Sequence, residues 1–275
     1  MDDVGGYSAF MNRSLLFTLV CMACSSCAPA QQKEAPEPEP DPRVVKALEA
    51  ASILPDPVAL AFRSALMADP ERFFRLLDEA ELESAAAGDL LQLVDKNHAL
   101  PSSFKPLDLV SLNDYELART KDTLSLRKAI IDGVMEMDAA ARADGITLTF
   151  ASTFRSYETQ LGLFDYWVQS HGLKEAERFS ARAGQSQHQL GTVIDFHPIE
   201  EEIASLPQGL WLEQNAWRYG FSMSYPPGHE HITGYMWEPW HFRYITKAGA
   251  SIERDYFGGI QQYFLEFLRE YRLGT

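Results

Sequence analysis

Apolar residues recur at helical spacing through much of the second half of the chain. In residues 125–144, apolar residues recur every three to four positions, at Leu126, Ile130, Val134 and Met137, which predicts an amphipathic helix that Gly145 ends. The same spacing predicts further helices over residues 156–170, 173–180, 210–219 and 252–272.

Three shorter segments are instead rich in β-branched and aromatic residues, a composition that favours strands. They are residues 146–154, 192–197 and 236–245. Helices mixed with a few short strands are typical of an α+β fold. The pattern therefore predicts a small antiparallel sheet flanked by helices.

Two segments without recognisable chemistry precede this part of the chain. Residues 44–95 predict short helices, one of which starts at Asp69-Pro70, with Asp as the N-cap and Pro in the first turn. We expect them to form a helical extension docked on the rest of the fold. Residues 96–124 are rich in Pro, Ser, Asn and Asp and predict a wrapping loop.

Residues 1–30 have the character of an export signal. Arg13 precedes an apolar run of about ten residues, which suits a signal h-region and is too short to span a bilayer. Met11 suits the start of such a signal better than Met1, because acidic residues follow Met1. We therefore expect export to the periplasm or cell envelope.

This signal is compatible with two routes of processing. Ala28-Pro-Ala30 matches a signal peptidase site, whereas Cys24 and Cys27 each resemble the cysteine that is acylated in a lipoprotein. The two routes, cleavage or a lipid anchor, stay open. Residues 31–43 then alternate proline with acidic residues, which favours an extended, solvated linker.

Composition narrows the choice of partner and of metal ligands. The formal net charge is -15 and the chain has no basic stripe, so nucleic acid is not an expected partner. All three cysteines lie before residue 28. A metal site in the folded body would therefore need nitrogen and oxygen ligands.

Two short motifs supply such ligands. His188 and Asp195 are seven residues apart across Gly191, and His241 follows in the sequence Trp237-Glu-Pro-Trp-His. A catalytic zinc needs three protein ligands and one open position, which two imidazoles and a carboxylate provide. Glu238, three residues before His241, is a candidate base beside the metal.

Three polar residues could bind substrate near such a site. Arg155 follows the strand predicted to end at Phe154, and its guanidinium could hold a carboxylate or stabilise an oxyanion. A surface salt bridge is the ordinary alternative for this arginine. Ser186 and Gln160 are neutral candidates for hydrogen bonds to substrate, although plain surface positions would explain them equally well.

These motifs resemble those of the VanY-type zinc D-alanyl-D-alanine carboxypeptidases, which are LAS metallopeptidases like the hedgehog signalling domains. The matches are Ser186–Asp195 to S-x-H-x-x-G-x-A-x-D with Val193 in place of Ala, Glu238–Tyr244 to E-P-W-H-x-R-Y, and Ser152–Gln160 to S-x-Y/F-R-S-Y-x-x-Q. The run Trp217–Pro226 also matches the family, except that Ser224 stands where an Arg is common. The resemblance covers roughly residues 90–270 and predicts a zinc peptidase domain over residues 96–275.

The resemblance also implies roles for these residues. His188, Asp195 and His241 would bind zinc, and Glu238 would act as general base and later as proton donor. Arg155 would hold the substrate, with Ser186, Gln160 and Tyr157 assisting. The implied substrate is the peptide stem of peptidoglycan, trimmed at its C-terminal D-amino acid.

Alternatives to D,D-carboxypeptidase activity stay open at this point. An L,D-carboxypeptidase or a peptidoglycan endopeptidase would use the same metal chemistry, because specificity lies in the walls of the cleft. A cell-wall-binding lipoprotein could keep zinc without catalysis, although an intact Glu238 and Arg155 argue against it. A structural zinc site usually has four ligands and is rich in cysteine, unlike this one. The sequence does not predict an oligomeric state.

Overall fold

The computed structural model describes residues 41–274. The α-helices in this part are Pro42–Ala50 (α1), Asp56–Ala68 (α2), Pro70–Ala86 (α3), Ile131–Ala143 (α4), Tyr157–His171 (α5), Leu173–Phe179 (α6), Pro207–Asn215 (α7), Glu230–Thr233 (α8), Lys247–Tyr256 (α9) and Gln261–Leu273 (α10). The β-strands are Leu109–Ser111 (β1), Ala118–Arg119 (β2), Ser125–Arg127 (β3), Thr149–Ser152 (β4), Val193–Phe196 (β5), Phe221–Met223 (β6) and His241–Tyr244 (β7).

The main sheet has five strands in the order β2-β4-β5-β7-β6. Three of its pairings, β4 with β5, β5 with β7 and β7 with β6, are antiparallel as predicted. The edge strand β2 instead pairs in parallel with β4, and β1 and β3 form a separate antiparallel ribbon. The predicted α+β fold with a small, largely antiparallel sheet is thus confirmed.

Alternation along β5 and β7 separates a hydrophobic face of the sheet from a polar one. Ile194, Phe196 and Phe242 lie in a core that also contains apolar residues of α4 and α7. Successive side chains of a strand point to opposite faces. Asp195 and His241, at the intervening positions, therefore lie on the face away from this core.

The N-terminal helices share a second core with the C-terminal helices. Phe62 of α2 lies in ring contact with Phe73 of α3, with Phe257 just after α9 and with Phe267 of α10. The helices found between residues 44 and 95 are therefore packed within the same compact unit as the sheet. Among residues 41–274, no helix combines the length and the apolar character needed to cross a membrane.

Two helix predictions need correction. Residues 125–127 form strand β3 against β1, and α4 begins only at Ile131, because pairing of Leu126 with Val110 overrides the local helical pattern. The helix predicted over residues 252–272 is two helices. Gly258 and Gly259 between them both have positive φ, a conformation that an α-helix cannot contain.

The last predicted strand also begins later than expected. Strand β7 covers only His241–Tyr244 of the predicted residues 236–245, because the backbone N–H of Glu238 donates to the carbonyl of Tyr225 instead of joining the sheet. The short strand β6 was not predicted. The predicted signal and lipidation positions, and most of the linker, lie outside the described residues.

Candidate metal centre and active-site cleft

The register of the central strands brings two candidate ligands side by side. Asp195 of β5 lies directly opposite His241 of β7 and, on its other side, opposite Ser152 of β4. An irregularity in the pairing between Phe150 and Ser152 sets this last alignment. Two residues that are 46 positions apart in sequence thus become neighbours on one face of the sheet.

His188 reaches the same place from a short 3₁₀ turn over Gln187–Leu190. The hydroxyl of Ser186 caps this turn by accepting a hydrogen bond from the backbone N–H of His188 at 3.3 Å. Gly191 ends the turn with φ of 70°, a left-handed conformation that favours glycine. Added to Gly191, a Cβ would also come within 3.0 Å of the Arg127 side chain.

The three predicted ligands converge. Nε2 of His188 lies 3.1 Å from Oδ2 of Asp195, and Nδ1 of His241 lies 3.0 Å from Oδ1 of Asp195. The ligand atoms of all three residues lie within 4.8 Å of one another. Their side chains are buried, so this group of nitrogen and oxygen atoms is largely withdrawn from solvent.

Hydrogen bonds at the outer nitrogens orient both imidazoles. Nδ1 of His188 lies 2.6 Å from the carbonyl oxygen of Thr153, which can only accept, so Nδ1 carries the proton. Nε2 of His241 lies 3.3 Å from Oε1 of Gln187, which already accepts from Ser224 Oγ at 2.7 Å. The inner nitrogens of both rings therefore present lone pairs to Asp195.

This arrangement fits a divalent cation. Oδ1 of Asp195 is buried and accepts no hydrogen bond within residues 41–274, although Nδ1 of His241 lies close to it. A lone pair facing a carboxylate oxygen is unfavourable unless a positive charge lies between them. Two neutral imidazoles and one carboxylate are a donor set that suits zinc.

The ionisation states of the ligands agree with this fit. Burial lowers the pKa of His188 to about 4, so its imidazole is neutral at pH 7. A neutral imidazole is the form in which histidine binds a metal ion.

Glu238 lies at the edge of this group. Its Oε2 is 3.4 Å from Nδ1 of His241, and its side chain is buried. Burial, together with the negative charge of Asp195, raises the pKa of Glu238 well above its ordinary value. A carboxyl group with a raised pKa beside a metal position is suited to accept and return a proton.

Arg155 is held at the other side of Asp195 by two hydrogen bonds. Nη1 donates to Oε1 of Gln160 at 2.7 Å, and Nη2 donates to Oγ of Ser152 at 3.0 Å. Nη2 also lies 3.9 Å from Oδ2 of Asp195. The guanidinium lines the cleft, so Arg155 does not form the surface salt bridge that was its alternative role. It keeps further N–H donors for a bound molecule.

The other predicted substrate residues occupy different positions. Ser186 lines the cleft. Gln160 is fully buried, and it uses its amide to orient Arg155 and to donate to the carbonyl of Ala181. Neither Gln160 nor Tyr157 is among the described residues that line the cleft, and their direct contact with substrate stays a prediction.

The cleft itself has a volume of about 460 Å³. One wall is aromatic and comes from α5 and α6, where the ring of Trp167 packs edge-on against Phe179. Tyr225 and Tyr235 also line the cleft, and the ring of Tyr225 is 4.8 Å from that of His241. The cleft is thus large enough for a short peptide terminus and is apolar around its polar centre.

Sequence reasoning missed Gln187 and the aromatic wall. Gln187 directly precedes His188 in sequence but acts on His241, 54 residues away, so its role depends on tertiary contact alone. The aromatic wall gives no distinct signal in the sequence, because the spacing of aromatic residues does not distinguish core from cleft. The contact of His188 with Thr153 uses a backbone carbonyl, so the residue type at position 153 could not indicate it.

A buried His-Asp-His group that could hold a metal ion, a carboxyl group beside it and a peptide-sized cleft are the arrangement expected of a metallopeptidase. The family model described as VanY, D-alanyl-D-alanine carboxypeptidase, matches residues 123–247, which include all eight candidate site residues. The chain belongs to this family. The resemblance noted from the motifs is confirmed.

Similar proteins agree with this assignment. The chain is 35% identical over 184 residues to YodJ of Bacillus subtilis (strain 168), which is named as a carboxypeptidase. The aligned residues cover 64% of this chain and 67% of YodJ. It is 29% identical to a D-alanyl-D-alanine carboxypeptidase of Enterococcus faecalis (strain ATCC 700802 / V583) over 218 residues, with 76% of this chain and 78% of that protein covered.

Two solved structures share the fold. The LdcB LD-carboxypeptidase has a TM-score of 0.57 and 33% identity, covering 62% of this chain and 87% of that chain. The vancomycin-resistance D,D-pentapeptidase VanY, solved as a variant with Zn(II), has a TM-score of 0.51 and 30% identity, covering 64% of this chain and 98% of that chain.

Proposed function

We propose that this protein is an exported zinc metallopeptidase that removes the C-terminal D-amino acid from peptidoglycan stem peptides, as a D,D-carboxypeptidase. The observation that carries the proposal is the convergence of His188, Asp195 and His241 in one cleft with Glu238 and Arg155. Support also comes from the similar VanY structure in complex with Zn(II) and from a 30% identical VanYB structure in complex with D-alanine-D-alanine.

His188, Asp195 and His241 would hold the zinc ion. Zinc bound there would supply a water of lowered pKa and a Lewis acid for the scissile carbonyl. Glu238 accepts a proton from the attacking water. The same carboxyl group then returns the proton to the leaving amine, so its raised pKa suits both steps.

Arg155 orients the substrate and stabilises developing negative charge. Its guanidinium is already fixed by Ser152 and Gln160, so little side-chain freedom is lost on binding. The free N–H donors suit either the terminal carboxylate of the substrate or the carbonyl oxygen under attack. Ser186, on the cleft wall, supplies a further polar contact.

An L,D-carboxypeptidase is the second candidate. The similar LdcB structure is described as an LD-carboxypeptidase and has a higher TM-score to this chain than the VanY structure with Zn(II). The two activities share metal, base and arginine, and they differ in the residue that precedes the scissile bond. That residue would contact the cleft walls rather than the metal group.

Purified zinc-loaded protein, incubated with pentapeptide and tetrapeptide stems and followed by mass spectrometry, separates these functions. The proposal predicts loss of one D-alanine from the pentapeptide and no further trimming. Loss of the terminal residue from the tetrapeptide would favour the L,D activity, and cleavage of crosslinked dimers would favour an endopeptidase.

A metal-deficient control tests the site itself. His188→Ala removes one ligand, so we expect loss of both bound zinc and hydrolysis. If the wild-type protein binds zinc and muropeptides but releases no product from any stem, the protein is a non-catalytic cell-wall-binding protein instead.

We also propose that the chain is exported and acts in the cell envelope. The support is the signal-like sequence with Arg13 and the apolar run after it. Labelling cells with a radioactive fatty acid tests the lipid anchor. Loss of label in Cys24→Ser or in Cys27→Ser would identify the acylated cysteine, whereas an unlabelled, processed protein in the soluble envelope fraction would show cleavage near Ala30.

A further inference from the structure

A second cavity, of about 330 Å³, lies next to the segment that carries Glu238. We call it the α9 cavity, because Glu253 and Arg254 of α9 line it. Trp237 and Pro239 line the α9 cavity, whereas Glu238 and Trp240 line the catalytic cleft, and the two share no lining residue. The proposed reaction therefore leaves the α9 cavity unused.

A buried acid with one unpaired oxygen lies in this cavity. The side chain of Glu253 is 4% exposed, and its Oε1 accepts a hydrogen bond from Ser222 Oγ at 2.8 Å. No residue between 41 and 274 forms a hydrogen bond with Oε2. That oxygen therefore keeps its lone pairs available to a molecule bound in the cavity.

The charges around the cavity favour a positively charged occupant. Glu213 supplies a second carboxylate at an exposed position of the lining. The one arginine among the lining residues, Arg254, is already engaged. Its Nε donates to Asp255 at 2.7 Å and its guanidinium lies 3.4 Å from the ring centroid of Trp217. Arg254 thus forms its ion pair with Asp255, whereas Glu253 forms none within residues 41–274 and feels the charge of Arg254 only at longer range.

The remaining walls suit an apolar body. Trp217, Trp237, Phe221 and Phe242 contribute aromatic surface, and prolines and small aliphatic side chains supply much of the rest. Aromatic faces attract cations and exclude water from them. A cavity of this size lies at the lower end of the range for small-molecule sites.

We propose that the α9 cavity is a binding site for a small organic cation, an ammonium group on an apolar stem. The ammonium group donates to Oε2 of Glu253, and the stem packs among the aromatic rings of Trp217 and Trp237. Burial raises the pKa of Glu253 to about 7, so a bound cation would also stabilise the ionised carboxylate at neutral pH.

Benzylammonium is a suitable probe, with benzyl alcohol as its uncharged match. Both are titrated into the zinc-loaded full-length protein while the indole N–H signals are followed by NMR. We expect saturable shifts at Trp217 and Trp237 and none at Trp167 and Trp240, which line the catalytic cleft. Because a charge-assisted hydrogen bond is lost, benzyl alcohol should bind about tenfold more weakly or worse.

Two isosteric variants locate the charge that matters. Glu253→Gln keeps an acceptor for Ser222 but removes the negative charge, and should weaken benzylammonium binding by about tenfold or more. Glu213→Gln, at the exposed position, should change it by less than about threefold. Circular dichroism confirms that both variants fold.

Several results would overturn the inference. They are shifts confined to Trp167 and Trp240, equal binding of the alcohol and the ammonium ion, unchanged affinity in Glu253→Gln, and no saturable shift at Trp217 and Trp237. None of these results bears on hydrolysis of stem peptides, which is measured separately.

Discussion

At the residue scale, the cleft depends on pairs of groups that hold each other in place. Glu238 and Asp195 would repel if both were charged with nothing between them, and Arg155 offsets part of that repulsion. Gln187 and the carbonyl of Thr153 fix the tautomers of the two histidines. Such outer hydrogen bonds orient metal ligands and set their basicity.

Glu238→Gln should separate zinc binding from hydrolysis. The change keeps the shape of the side chain and removes the group that accepts the proton, so turnover on the pentapeptide stem should fall by about 10²–10⁴. Zinc content should stay at the wild-type value, because Glu238 is not among the three ligands. Glu175→Gln, at an exposed surface pair with Arg178, is the matched control and should leave turnover unchanged. Wild-type turnover in Glu238→Gln would disprove the proposed role.

Gln187→Leu should weaken zinc binding without touching a ligand. It removes the acceptor that orients Nε2 of His241, and loss of such an outer partner typically costs about 10- to 100-fold in metal affinity. Zinc affinity is measured by competition with a chelator. Gln187→Glu keeps an acceptor oxygen and should retain most of the affinity.

Gln189→Leu provides the control for that measurement. Gln189 is a buried glutamine of the same turn, but its amide donates to the carbonyls of Pro101 and Phe104. We expect lower stability and unchanged zinc affinity. Equal zinc affinity in Gln187→Leu and wild type would show that His241 is oriented without Gln187.

At the scale of elements, the positions of the candidate metal ligands depend on strand pairing and on one short turn rather than on the surrounding helices. Asp195 and His241 depend on the register of β5 with β7, and His188 depends on the capped turn before β5. The helices α1–α3, far from these residues in sequence, brace α9 and α10 through aromatic packing. We infer that this packing contributes to stability rather than to chemistry.

Phe62→Ala should destabilise the fold strongly. Phe62 is fully buried among the rings of Phe73, Phe257 and Phe267, so truncation leaves a cavity that costs about 3–5 kcal/mol of unfolding free energy. Urea denaturation measures the change. Leu60→Ala, on the exposed side of the same helix, should change stability by less than about 0.5 kcal/mol. Equal effects of the two changes would show that α2 is not anchored through Phe62.

At the scale of the whole molecule, two cavities of different character share one segment. Alternate residues of the segment 237–240 line the catalytic cleft and the α9 cavity. The cleft contains the metal ligands, whereas the α9 cavity contains the buried Glu253. Because Glu253 is buried in the folded protein and solvated in the unfolded chain, it links global stability to pH.

Glu253→Gln should change the pH dependence of stability with a defined sign. Burial raises the pKa of Glu253 from 4.5 to about 7, so the folded state binds the proton more tightly than the unfolded state. The contribution of Glu253 to stability is therefore fully present below pH 4.5 and is lost as the pH rises through 7. At about 1.4 kcal/mol per unit, a shift from 4.5 to about 7 corresponds to roughly 3 kcal/mol.

Urea unfolding of both proteins from pH 4.5 to pH 8 tests this prediction. Relative to wild type, Glu253→Gln should gain stability as the pH rises, because glutamine carries no charge to bury. A constant difference between the two proteins across this range would show that the pKa of Glu253 is close to its ordinary value.

Local patterns in the sequence determined several elements correctly. Asp69 caps α3 with Pro70 in its first turn, and α5 spans Tyr157–His171, because caps and helical periodicity act over a few residues. The candidate ligands were recognisable for the same reason, since each lies in a short motif whose residue types suit zinc.

Only the tertiary structure decided which of these residues meet. Strand pairing turned residues 125–127 away from the predicted helix, opposed Asp195 to His241, and brought Gln187 to a histidine 54 positions away. Tertiary packing also placed Glu253 in the lining of a cavity that no local motif predicts. A motif reflects the chemistry of residues that are neighbours along the chain. Strand register and packing instead depend on contacts between distant segments, and these contacts are determined by many residues together rather than by any one motif.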